Sequence, residues 1–116
     1  MTTASPITRA LAYAGGSHTA ADIDRAVAAG ELQQWNGERS TIITEIKQTP
    51  QQRILLYVLA EGDLTELRAM AIGINEWGRS LGCVKAQLIG RRGWERSPLR
   101  MDGWLPVSII MEKSLV

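Results

Sequence analysis

The sequence predicts a mixed α/β (α+β) fold, with elements in the order α-α-β-β-β-α-β-(α)-β. Three observations carry this. "RILLYVLA", residues 53–60, is almost wholly apolar, as suits a central strand covered on both faces. Leu64, Leu67, Met70, Ile74, Trp77 and Leu81 then recur at three and four residues, one face of a helix. Before both stands "STIITEI", residues 40–46, β-branched in the manner of a strand.

The first helix is expected to begin at Ser5-Pro6, since proline suits the first turn. Ile7, Ala10, Leu11 and Ala14 form its apolar stripe, and Gly15-Gly16 ends it. Thr19 caps a second helix with Asp22 at its third position. Ile23, Ala26 and Val27 line that helix, and Gly30 suits a left-handed C-terminal cap. "ELQQW" is too short to assign. Asn36-Gly37-Glu38 is a hairpin signal, because Asn-Gly tolerates positive φ. Pro50 breaks the strand after it.

Asp63 and Glu66 resemble a capping box at the start of the long helix. Gly73 and Gly78 inside that helix each cost about 1 kcal/mol against alanine, a cost that close packing on the sheet would justify. Gly82 ends the helix. "CVKAQLI" returns as a strand parallel to "RILLYVLA", "RRGWER" makes a short helical turn, and "GWLPVSIIMEKSL" is a last strand, with Pro106 near its start as at a sheet edge. Leu67, Met70, Ile74, Trp77 and Leu81 should face the sheet. Ile54, Leu56 and Val58 should share one of its faces.

The 116 residues are those of a single domain, 1–116. A net charge of +1 gives no global attraction to nucleic acid or membrane, so any basic surface must be local. One cysteine, Cys83, excludes an internal disulfide and fits a reducing compartment. No apolar run approaches the length of a membrane span, and the first residues do not read as a signal peptide. The expected location is a virion or host cytoplasm, on the resemblance described next, with no secretion.

The element order resembles the GCN5-related N-acetyltransferase (GNAT) fold, over about Ala20 to Leu115. "ILLYVLAEGDLTELRAMAIGINEWGRSLGC" followed by "AQLIGRRGWER" is its strongest segment, matching that family's acyl-CoA half. The "GC…GRRGWER…GW" arrangement, after "LQQW" and the Asn-Gly turn, is similar to small acetyltransferase-like proteins encoded among the structural genes of tailed bacteriophages. The resemblance implies an acetyltransferase-like mixed sheet and, from the phage group, a virion protein or assembly role.

The family holds the CoA pyrophosphate on backbone amides of a Q/R-x-x-G-x-G/A loop where the long helix begins, the general anion site of a helix start. The corresponding loop here is "LAEGDLTEL", with Glu61, Gly62 and Asp63 at the cofactor-binding position. It has one glycine and two carboxylates. Asp63 should occupy amides that a phosphate needs, and two carboxylates repel a pyrophosphate by about 1 kcal/mol per pair at about 4 Å in water. The family's acidic tyrosine has no counterpart in Tyr13 or Tyr57. Trp94 stands in the aromatic place, and an indole does not titrate usefully. The catalytic residues are unknown. Glu45 or Glu112 could act as a base, but a solvated or edge-strand carboxylate is the simpler account of each.

His18 is the only histidine, so no metal site is expected, and a solvated loop side chain is its default. Cys83 reads as a small buried residue before it reads as a nucleophile. In "LIGRRGWERSPLRMDGW", Arg91, Arg92, Arg96 and Arg100 accompany Trp94 and Trp104. Arginine and tryptophan dominate protein interfaces; they also suit a nucleic-acid backbone with base stacking. The plain alternative packs Trp94 under the sheet and leaves the arginines solvated or paired with Glu95 and Asp102.

Three functions follow. The first is a non-catalytic GNAT-like phage protein, virion-associated or assisting virion assembly. It would need no cofactor and would bind another phage structural protein through Arg91, Arg92, Trp94, Arg96 and Arg100. The second is an N-acetyltransferase (an acyl-CoA-dependent N-acyltransferase) using acetyl-CoA in a departed mode. The third is a nucleic-acid-binding accessory protein.

Overall fold

The computed structural model describes residues 18–89 and 94–116. Helix α1 spans Ala20–Ala28, strand β1 Gln33–Asn36, β2 Thr41–Gln48 and β3 Arg53–Glu61. Helix α2 spans Leu64–Ser80 and strand β4 Lys85–Leu88, and two 3-10 turns follow at Trp94–Arg96 and Pro98–Asp102. The four strands form one mixed sheet in the order β1-β2-β3-β4. The first two pairings are antiparallel and β3-β4 is parallel, with Ile54 opposite Lys85 and Tyr57 opposite Leu88. The helix expected over residues 6–14 lies outside the described residues.

Local signals act where they were expected. Thr19 accepts from the Asp22 amide while the Asp22 carboxylate accepts from the Thr19 amide, a complete capping box. Those bonds, with the Thr19 amide foremost, hold the Asp22 carboxyl below its ordinary range. Gly30 has φ 78° just beyond α1. "ELQQW" becomes β1, short because only Gln33 to Asn36 find partners on β2.

Two cores flank the sheet. On the α2 side, Ile42, Leu55 and Tyr57 meet Leu67, Ala71 and Ile74. Met70 and Trp77 pack against this cluster as expected, and the Trp77 ring meets Trp35 edge-on at 5.1 Å. Gly78 is buried, and a Cβ there would lie 2.8 Å from the Leu55 side chain, so close packing does account for it. Gly73 has open space around it. On the other side, Ile23 of α1 meets Ile43 and Leu59, with Val27, Leu32 and Val58 packed around them.

Two expectations are corrected and one is refined. Leu81 is exposed rather than sheet-facing, because it is the C-cap residue of α2, where the helical stripe has already ended. Ile54, Leu56 and Val58 alternate with Leu55 and Tyr57 of the α2-side core, and Val58 packs on the α1 side, so the even positions share a face as expected. The register slips between Ile43 and Thr44, so that Ile43 faces Leu59 while Thr44 faces Tyr57. Val58 is the extra residue of a bulge, and Leu59 joins it on the α1 side. Third, residues 104–116 form no strand and are exposed from Leu105 onward. With no strand beside it and no face to bury among the described residues, β propensity has nothing to act on.

Candidate functional site

The loop Glu61-Gly62-Asp63 joins the central strand to α2 and sits beside the β1-β2 loop. Gly62 has φ 135°, a conformation that L side chains rarely adopt. A Cβ there would lie 2.4 Å from Ser40 Oγ and 2.5 Å from Ser40 Cα. The two loops are therefore in direct contact, with no room for a side chain between them.

Hydrogen bonds close this junction. Asp63 is the N-cap of α2 and accepts from the Glu66 amide at 3.0 Å, as the sequence led us to expect. The reciprocal half of the capping box is replaced. The Asp63 amide donates to Ser40 Oγ at 3.1 Å, and the Glu66 carboxylate reaches across to accept from the Glu38 amide at 2.8 Å and the Arg39 amide at 2.9 Å. The Ser40 hydroxyl, then the Arg39 amide, hold the Glu66 carboxyl below its ordinary range. Gly37 gives Glu66 its place: a Cβ on Gly37 would meet Glu66 Cδ at 2.7 Å and Met70 Sδ at 2.9 Å.

The hairpin expected at Asn36-Gly37-Glu38 forms, with β1 and β2 antiparallel, but not with the positive-φ turn that Asn-Gly favours. Asn36 pairs with Thr41, leaving a four-residue loop at 37–40, and neither Asn36 nor Gly37 takes positive φ. Within the loop the Gly37 amide donates to Ser40 O at 2.8 Å. The amides of residues 38 and 39 face a carboxylate carried by a helix 27 and 28 residues away. Local Asn-Gly chemistry does not foresee such a partner.

A second group of side chains lies over the outer half of β3. The Tyr57 hydroxyl donates to Asn75 Oδ1 at 2.6 Å, and burial pushes its pKa far above the ordinary phenol value. Trp104 stands edge-on to the Tyr57 ring at 5.4 Å. Trp94 is half-buried. With Ile42, Tyr57, Ala60, Leu67 and Trp104, it lines a narrow apolar space of about 30 Å³. Arg96 and Arg100 are exposed; Arg91 and Arg92 lie outside the described residues. Among the described residues the arginine that pairs with Asp102 is Arg68 of α2. Asp102 receives both Arg68 Nε at 2.7 Å and Arg68 Nη2 at 2.8 Å, which ties the second 3-10 turn to α2. The Arg68 guanidinium holds the Asp102 carboxyl below its ordinary range.

The remaining candidates are dispersed. Glu45 is half-buried on β2, opposite Leu56. Glu112 is exposed in segment 105–116, and His18 is exposed before α1. Cys83 is half-buried and packs against the α2-side core. It lines a cleft of about 160 Å³ with Asn75, Arg79 and Lys85. That cleft lies at the C-terminal end of α2, about 25 Å along a 17-residue helix from the Gly62 loop. Among the described residues no group of three or more His, Cys, Asp or Glu is placed to hold a metal ion, and no helix is long and apolar enough to cross a membrane.

Sequence reasoning placed Asp63 correctly and missed Ser40 and Gly37. Ser40 carried a faint signal, a lone small polar residue at the head of a β-branched run. No protein-family model, curated protein or solved structure matches the chain.

Proposed function

We propose that this chain is a non-catalytic, acetyltransferase-like domain that acts by docking, associated with a tailed-phage virion or assisting its assembly. The observation that carries the non-catalytic part is the closed start of α2. At a helix start that binds phosphate, free amides point at the ligand. Here the Glu66 amide is taken by Asp63 and the Asp63 amide by Ser40. The adjacent 37–40 loop already holds a carboxylate, that of Glu66. A pyrophosphate would have to displace these partners beside the negative charges of Asp63 and Glu66.

Two further features support the reading. Tyr57 is buried and committed to Asn75, and its raised pKa disfavours the ionised form it would take after giving up a proton. The cleft beside Cys83, about 160 Å³, is smaller than the roughly 300 Å³ at which sites for drug-sized ligands begin.

The docking surface we propose is Arg91, Arg92, Trp94, Arg96 and Arg100, with phage structural protein as partner. The similarity of "GRRGWER…GW" to the phage-encoded group supports this assignment. Titration calorimetry with acetyl-CoA tests the first half: the expected dissociation constant is weaker than about 1 mM. Micromolar binding would overturn it and favour the acyltransferase. Particle incorporation tests the second half, using Arg91→Glu with Arg92→Glu. The variant is expected to stay folded and to be lost from particles. Normal incorporation would sink the docking surface, and normal incorporation with loss of salt-sensitive DNA binding would favour the nucleic-acid reading.

A further inference from the structure

We propose that segment 105–116 pairs with the outer edge of β4 in a second copy of this chain, and that the exchange is reciprocal. Two separate observations meet here. Strand β4 lies at the end of the sheet order and pairs with β3 through residues 85–88. Among the described residues nothing pairs with its other side. It is flanked by Val84, 68% exposed, and Ile89, 63% exposed. An edge strand of this kind offers a row of backbone donors and acceptors to another chain.

The second observation is the segment itself. Leu105, Val107, Ile109 and Met111 alternate with Pro106, Ser108, Ile110 and Glu112, the period of a strand with one apolar face. Val107 is 83% and Ile109 84% exposed. Of the twelve exposed large hydrophobic residues among the described residues, seven belong to this segment and two to the flanks of β4. Exposed apolar surface is thus concentrated on one strand-like donor and one strand acceptor. Concentration of this kind marks an interaction site, and adding a strand to an open edge is a common mode.

A second copy is the occupant because the chain carries both halves of the contact. A foreign sheet could take the segment but would leave β4 open. A foreign strand could cover β4 but would leave the segment exposed. A two-fold exchange satisfies both with one repeated contact, the self-complementarity that closed dimers require. The anchoring favours it too. The chain is held at Trp104, whose ring packs on Tyr57 and lines the same apolar space as Leu88, the last residue of β4. The segment therefore departs beside the C-terminal end of β4, close to the open edge. Pro106, which cannot donate, stands at the segment's start, where a strand tolerates it. This proposal stands apart from the docking reading, which concerns other residues and another partner.

The test is sedimentation and light scattering on the full chain over a range of concentrations, with two variants. Val107→Pro with Ile109→Pro removes donors from the segment, and Val84→Lys with Ile89→Lys puts charge on the edge. The unmodified chain is expected to reach twice its monomer mass as concentration rises. Each variant should remain a monomer with unchanged near-ultraviolet circular dichroism. An equimolar mixture of the two should regain a dimer, because one intact segment then faces one intact edge. Amide exchange on the unmodified chain gives a reading that needs no variant: residues 85–88 and 105–116 should gain protection together as concentration rises. A chain that stays monomeric, a segment protected equally at all concentrations, as pairing within one chain would produce, or a dimer that survives either variant would each overturn the proposal.

Discussion

Strand β2 and segment 105–116 are written in nearly the same vocabulary and end up in opposite surroundings. "TIITEIKQ" and "LPVSIIMEKSLV" are both β-branched, and both read as strands. In β2, Ile42 and Ile43 are wholly buried on opposite faces of the sheet, and every residue from Thr41 to Gln48 has a partner on β3. In the segment, Ile109 and Ile110 are 84% and 69% exposed. The difference is supplied by neighbours. β2 has a strand on each side and a helix over each face, whereas the segment runs on past the last 3-10 turn with nothing described beside it. β propensity measures how well a side chain fits a pleated, half-buried surface, so the same residues are a core in one place and an unused interface in the other.

The largest expected effect falls on the buried region. Leu67→Ala should destabilise the domain by about 2–5 kcal/mol in chemical denaturation, since Leu67 is 7% exposed within the α2-side core. An unchanged midpoint would mean that α2 does not seat on β2 and β3 as described. Next is Gly62→Ala. Backbone strain at its φ of 135° costs on the order of 1–3 kcal/mol, and the overlap with Ser40 adds to it. A variant as stable as the parent would show that the two loops are not in contact.

A pH experiment sharpens the same comparison. The folded-state pKa of Glu66 lies below its unfolded value. Its contribution is therefore complete above the ordinary glutamate value of about 4.3 and fades as pH falls through that value toward the folded pKa. Glu66→Gln should flatten the acid limb of the stability profile while leaving the neutral region governed by other contacts. An acid limb of unchanged steepness would detach Glu66 from the 38 and 39 amides. The smallest effect is expected in the segment. Ile109→Ser with Ile110→Ser, measured at a dilution where the chain is monomeric, should change folding stability by no more than about 0.5 kcal/mol. A larger loss would mean that the segment packs on its own chain.

The sequence by itself determined the elements whose signals are local. Thr19 and Asp22 cap α1, Asp63 caps α2, and the three-four stripe from Leu67 to Trp77 selects the buried face of that helix. The apolar run of β3 and the crossover through α2 likewise made β3 and β4 parallel neighbours. Each of these depends on residues within a turn or two of one another, or on a periodicity that a single element carries. Tertiary structure decided the rest. The bulge at Val58 follows from matching β3 to β2, and it brings Leu59 onto the α1 side beside Val58. The shape of the 37–40 loop follows from Glu66, a carboxylate distant in sequence, and the replaced half of the capping box follows from Ser40. Whether "PVSIIME" is a strand depends on an edge to pair with, and pairing is a property of two segments, so one segment's composition could not decide it.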